Sequence, residues 1–211
     1  MTSVADPLAA GDREFFGRNG YLVSGGVFTG AALDELRDAV EATCRRIVEA
    51  AAEKHKEVVF GGAVAFSAIP ELGVRNLVWE GERLDVPKVV EPMTQVDPRL
   101  QALWTHPVLT ALARLGLGVD EVAPFTDKFN AKRALAGGEF LWHQDYPFWY
   151  SAIRGQAAET VTLGIFLDDA TEANGTLVVV PGTQHGVLPR RTDAEDVMVR
   201  YHADEAQIDT T

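Results

Sequence analysis

Cysteine is nearly absent from this chain, since Cys44 is the single one in 211 residues. One cysteine excludes an internal disulfide and favours a reducing compartment such as the cytoplasm. No apolar run approaches the ~20 residues that cross a bilayer, and the N-terminus lacks the basic-then-apolar pattern of a secretion signal. We therefore expect a cytoplasmic protein without a membrane partner.

Positive charge is also scarce. The net charge is −12 and no run of Lys or Arg is longer than two residues, which argues against nucleic acid as a partner. The sequence has no phosphate-binding Gly-rich loop, dinucleotide fingerprint, Cys cluster for zinc or Gly-x-Ser-x-Gly elbow. These absences argue against several common enzyme classes. No pattern in the sequence specifies an oligomeric state.

Length and composition predict one domain over residues 1–211. An apolar content of 46% and a charged content of 24% are ordinary for a soluble globular chain of this size. Helical periodicity dominates about residues 1–118, and short strand-like segments dominate about residues 119–211.

The pattern of about residues 1–118 predicts three helices. Residues 7–18 read as a short helix that Asn19-Gly20 ends, and residues 21–23 read as a short strand. A long helix follows Thr29, which is a candidate cap. Its apolar residues recur at i+3 and i+4 and form one buried face: Leu33, Leu36, Val40, Cys44, Ile47 and Ala51.

Proline and glycine set the remaining boundaries of the first part. Residues 56–96 carry several Gly and Pro breaks and are ambiguous between short helices and strands. Asp97-Pro98 opens the third helix, and Pro107 inside its pattern predicts a kink or a restart.

The second part predicts five short strands between Gly, Asn or Pro turns. A β-sandwich or barrel buttressed by helices on one side would accommodate them. The fold class is therefore mainly β with N-terminal helices (α+β). The predicted strands are residues 124–132, 139–146, 159–167, 176–181 and 197–202.

The stretch Trp142-His143-Gln144-Asp145 contains a His-x-Asp pair. On an extended strand, residues i and i+2 point to the same face, so the imidazole of His143 and the carboxylate of Asp145 would converge on one point. With a second His from elsewhere, such a pair forms the facial triad that binds non-haem iron. A bare His-x-Asp can also be a hydrogen-bonded pair on a polar strand face, so its neighbours decide the interpretation.

The neighbours of this pair form an ordered series of motifs along the chain. The series consists of Phe15-Phe-x-x-Asn-Gly-Tyr21, Asp127-Lys-Phe-Asn-Ala-Lys132, the stretch from Phe140 to Trp149, the stretch from Thr160 to Asp169, and Asn174-Gly-Thr-Leu-Val-Val-Val-Pro-Gly-Thr183. It resembles the phytanoyl-CoA dioxygenase-like family of Fe(II)/2-oxoglutarate oxygenases over nearly the whole chain. The resemblance implies a double-stranded β-helix (jelly-roll, cupin-like) core with helices packed outside it. It also implies Fe(II) as metal, with 2-oxoglutarate and O2 as cosubstrates.

The resemblance assigns roles to single residues. It implies that His143 and Asp145 ligate iron, and that Lys128, Asn130 and Gln144 contact 2-oxoglutarate. A dianionic cosubstrate needs such donors beside the metal. It further implies that Trp149 lines the substrate pocket. Gly164 stands where relatives often have Trp, a departure that would widen the pocket.

The larger departure is the third iron ligand. In the family, the second His and a following Arg that binds 2-oxoglutarate lie further downstream than Thr211, so the last core strands are expected to be missing. The chain is then a fragment, a natural short form, or a protein that uses another ligand. His202, which ends a predicted strand, is the candidate we prefer, and His185 in the Pro-Gly-Thr-Gln-His turn is the alternative.

The sequence therefore predicts a dioxygenase that hydroxylates or desaturates a small molecule and releases succinate and CO2. A carboxylate at Asp145 occupies the position that is small in halogenating relatives, which favours these reactions over halogenation. The alternative is an inactive jelly-roll homologue that binds a ligand or a partner.

Overall fold

The computed structural model describes residues 9–53, 59–61, 64–81, 83–191 and 202–208. Within these ranges the chain forms five α-helices and one antiparallel sheet of five strands. The helices are α1 (Asp12–Asn19), α2 (Ala31–Glu53), α3 (Pro98–Gln101), α4 (Pro107–Leu117) and α5 (Asp145–Ile153). The strands are β1 (Val59–Gly61), β2 (Val64–Ile69), β3 (Val74–Glu80), β4 (Arg83–Glu91) and β5 (Phe129–Asn130).

The sheet occupies the region whose sequence is ambiguous. Its strands follow one another in the order β1-β2-β3-β4-β5, and each pairs antiparallel with the next. Pro70 and Gly73 lie in the turn between β2 and β3, where Gly73 adopts a φ of 72°. Pro87 lies in β4 beside a register irregularity, a position that tolerates a missing N–H. These residues therefore shape the turns and bulges of a meander rather than breaking it.

The core lies between α2 and the sheet. The predicted apolar face of α2 is confirmed, since Leu36, Val40, Cys44, Ile47 and Ala51 are buried and Leu33 is half-buried. Their partners are buried side chains of the sheet and of the segment that follows it, namely Ile69, Val74, Leu77, Trp79, Val90, Met93 and Val96.

The other two predicted helices are also present, although residues 9–11 of the first are not helical. Gly20 ends α1 in a left-handed conformation with φ 80°, and its N–H donates to the carbonyl of Phe16. The Asp97 side chain caps α3 by accepting from the N–H of Arg99 at 2.9 Å. Pro107 restarts the helix as α4, as predicted. Residues 7 and 8 of the first predicted helix lie outside the described residues, and residues 21–23 form no strand.

The second part differs from the prediction. Of the segment 124–132, Phe129 and Asn130 form a strand, while 159–167 and 176–181 carry none. Residues 197–201 lie outside the described ranges. Strand propensity yields a ladder only where a partner strand packs alongside, and these segments have none among the described residues. The α+β class is confirmed, whereas the part of the chain that the structure describes holds one sheet, not the two of a jelly roll.

Among the described residues, no helix combines the length and the apolar character that crossing a lipid bilayer requires.

Candidate metal centre

The His-x-Asp pair lies where an isolated β-bridge meets the start of a helix. His143 forms an antiparallel bridge with His202, and Asp145 is the first residue of α5. The pair is therefore not on one continuous strand, contrary to the prediction. Pro147 explains the change, because proline favours the first turn of a helix. The two side chains converge nevertheless, with His143 Nε2 3.6 Å from Asp145 Oδ1.

Each of the two side chains is held through its other polar atom. His143 Nδ1 lies 2.7 Å from the carbonyl oxygen of Leu141, which can accept its proton. In the neutral imidazole this leaves the lone pair on Nε2. Asp145 Oδ2 accepts a hydrogen bond of 2.7 Å from Thr162 Oγ1. A ligand atom left open beside a second atom fixed by the protein is the arrangement typical of metal-binding His and carboxylate groups.

His143 and Asp145 each shift the pKa of the other toward its charged form. His143 lowers the pKa of Asp145 to about 2, with further lowering from the Thr162 hydrogen bond and the charge of Lys128, while burial opposes the shift. Asp145 in turn raises the pKa of His143, aided by the Leu141 carbonyl and opposed by burial. When His143 is protonated, the separation of 3.6 Å is that of an ion pair rather than a hydrogen bond. Asp145 is thus anionic at neutral pH.

His202 faces the pair from the neighbouring segment. Its ring centroid lies 6.0 Å from that of His143, with the ring planes at 79°. Phe148 of α5 contacts both imidazoles, with centroids 5.6 Å from His143 and 6.1 Å from His202. Of the two candidates for a third ligand, His202 is therefore the one that the fold brings beside His143.

Backbone hydrogen bonds hold the segment that carries His202. The N–H of Ala203 donates to the carbonyl of Trp142 at 2.8 Å, and the N–H of Asp204 donates to the carbonyl of Pro189 at 2.9 Å. The N–H of Arg191 donates to the His202 carbonyl at 3.2 Å. Residues 202–204 therefore lie between the His-x-Asp segment and residues 189–191.

His185 lies elsewhere, in the turn Thr183–His185. Its Nε2 is 3.0 Å from the Nε2 of Gln184, and the Gln184 amide donates to the carbonyls of Gly17 and Arg18 in α1. This turn packs against the first helix, and its histidine is the weaker candidate ligand.

The side chains at this site are of the types that ligate metal ions. With His143 neutral, His143 and Asp145 supply one nitrogen and one oxygen with open lone pairs, and His202 is the imidazole next to them. Within the described ranges, no three His, Cys, Asp or Glu side chains are already grouped closely enough to hold a metal ion. The arrangement is thus two ligands in place with a third candidate adjacent.

The residues predicted to contact the cosubstrate do not all lie near the His-x-Asp pair. Lys128 is near the pair: its Nζ lies 5.4 Å from the ring centroid of Trp149, and its charge acts on Asp145. Phe125 packs edge-on against Trp149, with centroids 5.4 Å apart. Asn130 is exposed and pairs with Val89 in the sheet, a contact that does not bring it to the ligands.

The side-chain amide of Gln144 forms hydrogen bonds to the backbone of residues 183–188. Its Nε2 donates to the carbonyls of Thr183 at 2.7 Å and Gly186 at 2.9 Å. Its Oε1 accepts from the N–H of Leu188 at 2.8 Å. Both N–H donors are therefore used, so the side chain fastens residues 183–188 to the His-x-Asp segment. The sequence predicts that Gln144 contacts the cosubstrate, whereas in the structure its side chain is hydrogen-bonded to the backbone.

Two residues of the site were missed by sequence reasoning. Thr162 hydrogen-bonds Asp145, and Phe148 covers both histidines. Phe148 could have been found from Pro147, because a helix that starts at Asp145 places positions 145, 148 and 149 on one side. Thr162 carries no such signal, because its contact joins two segments distant in sequence.

Nearly the whole chain is similar to proteins of one family. The family model described as phytanoyl-CoA dioxygenase (PhyH) matches residues 16–210. An L-proline trans-4-hydroxylase from Streptomyces griseoviridis is 43% identical over 86 residues, which cover 41% of this chain and 32% of that protein. An ectoine dioxygenase from Sphingopyxis alaskensis is 25% identical over 182 residues, or 86% of this chain and 52% of that protein.

A phytanoyl-CoA dioxygenase 1 from Oryza sativa subsp. japonica is 25% identical over 198 residues, or 89% of this chain and 69% of that protein. The aligned part thus spans about a third of the proline hydroxylase and about half of the ectoine dioxygenase. No solved structure matched the chain.

Proposed function

Because the chain belongs to the phytanoyl-CoA dioxygenase family, we propose that it is an Fe(II)- and 2-oxoglutarate-dependent dioxygenase acting on a small molecule. The name of one relative, an L-proline trans-4-hydroxylase, supports hydroxylation as the reaction, and the name of another, an ectoine dioxygenase, supports a dioxygenase that acts on a small molecule. Desaturation is the variant of the same chemistry, and succinate and CO2 are the coproducts. The proposal includes a single domain located in the cytoplasm, where a lone cysteine such as Cys44 would stay reduced.

One observation carries the proposal: His143 Nε2 and Asp145 Oδ1 face each other at 3.6 Å while Leu141 and Thr162 hold their other polar atoms. His143, Asp145 and His202 would hold the iron. Bound there with 2-oxoglutarate, iron would supply the oxidising chemistry that amino-acid side chains lack.

The remaining residues of the site would bind and orient. The ammonium group of Lys128 would attract the carboxylates of 2-oxoglutarate, because a dianion in a partly buried site needs a cationic donor. Trp149 and Phe125 form an aromatic wall next to that ammonium group. Such a wall would contact the apolar part of a substrate and exclude water from its reacting carbon.

A binding module without catalysis is the second candidate. It is favoured by one observation, that the described residues contain no completed group of three metal ligands. This module would keep the fold and the aromatic wall, bind a small molecule or a partner, and take up neither iron nor 2-oxoglutarate.

An anaerobic titration with Fe(II) and 2-oxoglutarate separates the two candidates. The dioxygenase should develop the visible charge-transfer band of an iron-bound 2-oxo acid, and Asp145→Ala should abolish it. Asp120→Ala, which alters an exposed carboxylate after α4, is the matched control and should leave the band intact. Absence of the band in the unaltered protein, or its persistence in Asp145→Ala, would refute the dioxygenase proposal.

A further inference from the structure

The two oxygens of the Asp145 carboxylate have different neighbours. Oδ1 faces the Nε2 of His143 at 3.6 Å, whereas Oδ2 accepts a hydrogen bond of 2.7 Å from the Thr162 hydroxyl. A carboxylate that can rotate freely would present either oxygen, or both, to a cation. The hydroxyl removes that freedom, because turning the carboxylate would break a charge-assisted hydrogen bond.

The segment that carries Thr162 is itself anchored at both ends. Val161 packs against α4 at Gly116, where an added Cβ would lie 3.0 Å from the Val161 Cγ2. At the other end, Arg37 Nε of α2 donates to the carbonyl of Leu167 at 2.7 Å. Ile165 and Leu167 also pack against the core. Thr162 thus projects from a segment that is fastened to two helices.

Alternation along the extended segment explains why Thr162 faces outward. Val161, Ile165 and Leu167 are half-buried, while Thr162, Leu163 and Phe166 are exposed, so the alternation holds at Val161 and Thr162 and again from Ile165 to Leu167. In extended backbone, neighbouring side chains point to opposite sides. Packing of Val161 onto α4 therefore turns the hydroxyl of Thr162 away from the helix and toward Asp145.

We propose that Thr162 is a positioning residue that holds Oδ2 of Asp145, so that Oδ1 alone is presented to the metal. The inference rests on the proposed function, since it assigns a task toward a metal held by Asp145. Partners of this kind, which orient a ligand without touching the metal, change metal affinity by about 10- to 100-fold when they are removed.

Metal titration of four proteins tests this assignment. Thr162→Val removes the hydroxyl and keeps the shape, and Thr162→Ser keeps the hydroxyl and removes the methyl group. Thr160→Val is the matched control, because Thr160 Oγ1 donates to the Ala157 carbonyl at 2.8 Å, within its own turn. Binding of Co(II) and of Fe(II) with 2-oxoglutarate is followed by visible absorption under anaerobic conditions, and the thermal unfolding of each variant is recorded.

We expect Thr162→Val to weaken metal binding by about 10- to 100-fold and to shift the Co(II) absorption bands. Thr162→Ser and Thr160→Val should retain the affinity and the spectrum of the unaltered protein. Equal binding by Thr162→Val would overturn the role of Thr162 alone, as would an equal loss in Thr162→Ser. Failure of the unaltered protein to bind either metal would overturn the proposed function, and the role of Thr162 with it.

If Thr162→Val unfolds at a lower temperature than the unaltered protein, the metal affinity and thermal stability of Thr162→Ala are measured as well. Both variants lack the hydroxyl and differ in bulk, so a common loss of affinity with differing thermal stability would support positioning. Loss of affinity only in the less stable variant would refute it.

Discussion

His143 and His202 stand opposite each other in an antiparallel bridge, with ring centroids 6.0 Å apart and ring planes at 79°. The two residues are far apart in sequence, and the backbone bond from Ala203 to Trp142 brings them together. This relationship makes His202 a better candidate than His185 for the third iron ligand that we propose.

The first prediction concerns this choice. His202→Ala should weaken Fe(II) binding by more than about tenfold, since losing a ligand should cost at least as much as losing a partner that orients one. His185→Ala, the same change in the turn beside α1, should have no effect. Anaerobic Fe(II) titration measures both, and the reverse ranking would identify His185 as the ligand.

The second prediction concerns the ion pair of the metal-free protein. Asp145 is the largest cause that raises the pKa of His143, so Asp145→Asn should lower that pKa. An NMR titration of the His143 ring protons measures the change. A His143 pKa that is unaffected by Asp145→Asn would show that the pair does not interact in solution.

The third prediction gives the sign of the pH dependence for the same pair. The folded pKa of Asp145 is about 2, below its ordinary value of 3.8, so its contribution to stability is present above 3.8 and lost as the pH falls toward 2. The raised pKa of His143 contributes stability below its ordinary value of 6.5, which is lost as the pH rises through the folded value. Denaturant unfolding of the metal-free protein should show both losses, and Asp145→Asn should flatten them.

The fourth prediction concerns the fastening of residues 183–188. Gln144→Glu replaces two N–H donors by a carboxylate that faces the carbonyls of Thr183 and Gly186. Because those carbonyls lose their partners, we expect a loss of about 1–3 kcal/mol in the free energy of unfolding. Gln101→Glu, at an exposed position of α3, is the control and should stay near the stability of the unaltered protein. Equal stability of the two variants would show that the two bonds donated by Gln144 contribute little.

The fifth prediction concerns the cosubstrate. Lys128→Met should raise the KM for 2-oxoglutarate by roughly ten- to a hundredfold, because a hydrogen bond to a charged group contributes about 1.5–3 kcal/mol. Lys132→Met is the control, since the ammonium group of Lys132 donates to the Gly175 carbonyl at 2.7 Å. Succinate formation at varied 2-oxoglutarate concentrations measures both. A larger effect from Lys132→Met would move the binding site away from Lys128.

Sequence reasoning succeeded where the signal is local. The stripe on α2, the stop at Gly20 and the restart at Pro107 each depend on a few neighbouring residues, and the structure confirms them. The family was likewise predicted from short ordered motifs, and the match over residues 16–210 confirms it.

Sequence reasoning failed where the outcome depends on distant partners. The meander of residues 59–91 was ambiguous, because Pro70 and Pro87 look the same whether they end strands or lie in turns and bulges. Residues 176–181 have strand composition and yet no ladder, because pairing requires a neighbour that composition does not reveal. The task of Gln144 was missed for the same reason, since its partners lie about 40 residues along the chain.

The start of α5 has a consequence for how new substrate preferences would arise. Asp145, Phe148 and Trp149 occupy positions i, i+3 and i+4 of one helix of nine residues, so the proposed iron ligand, the ring that contacts both histidines and one of the two rings of the aromatic wall share a single helix. Substitutions on this helix should therefore show strong epistasis with metal binding. Gly164 is not on this helix, is exposed, and would place an added Cβ no closer than 3.8 Å to a neighbour, the Phe166 ring, so we expect its substitution to leave metal binding unchanged.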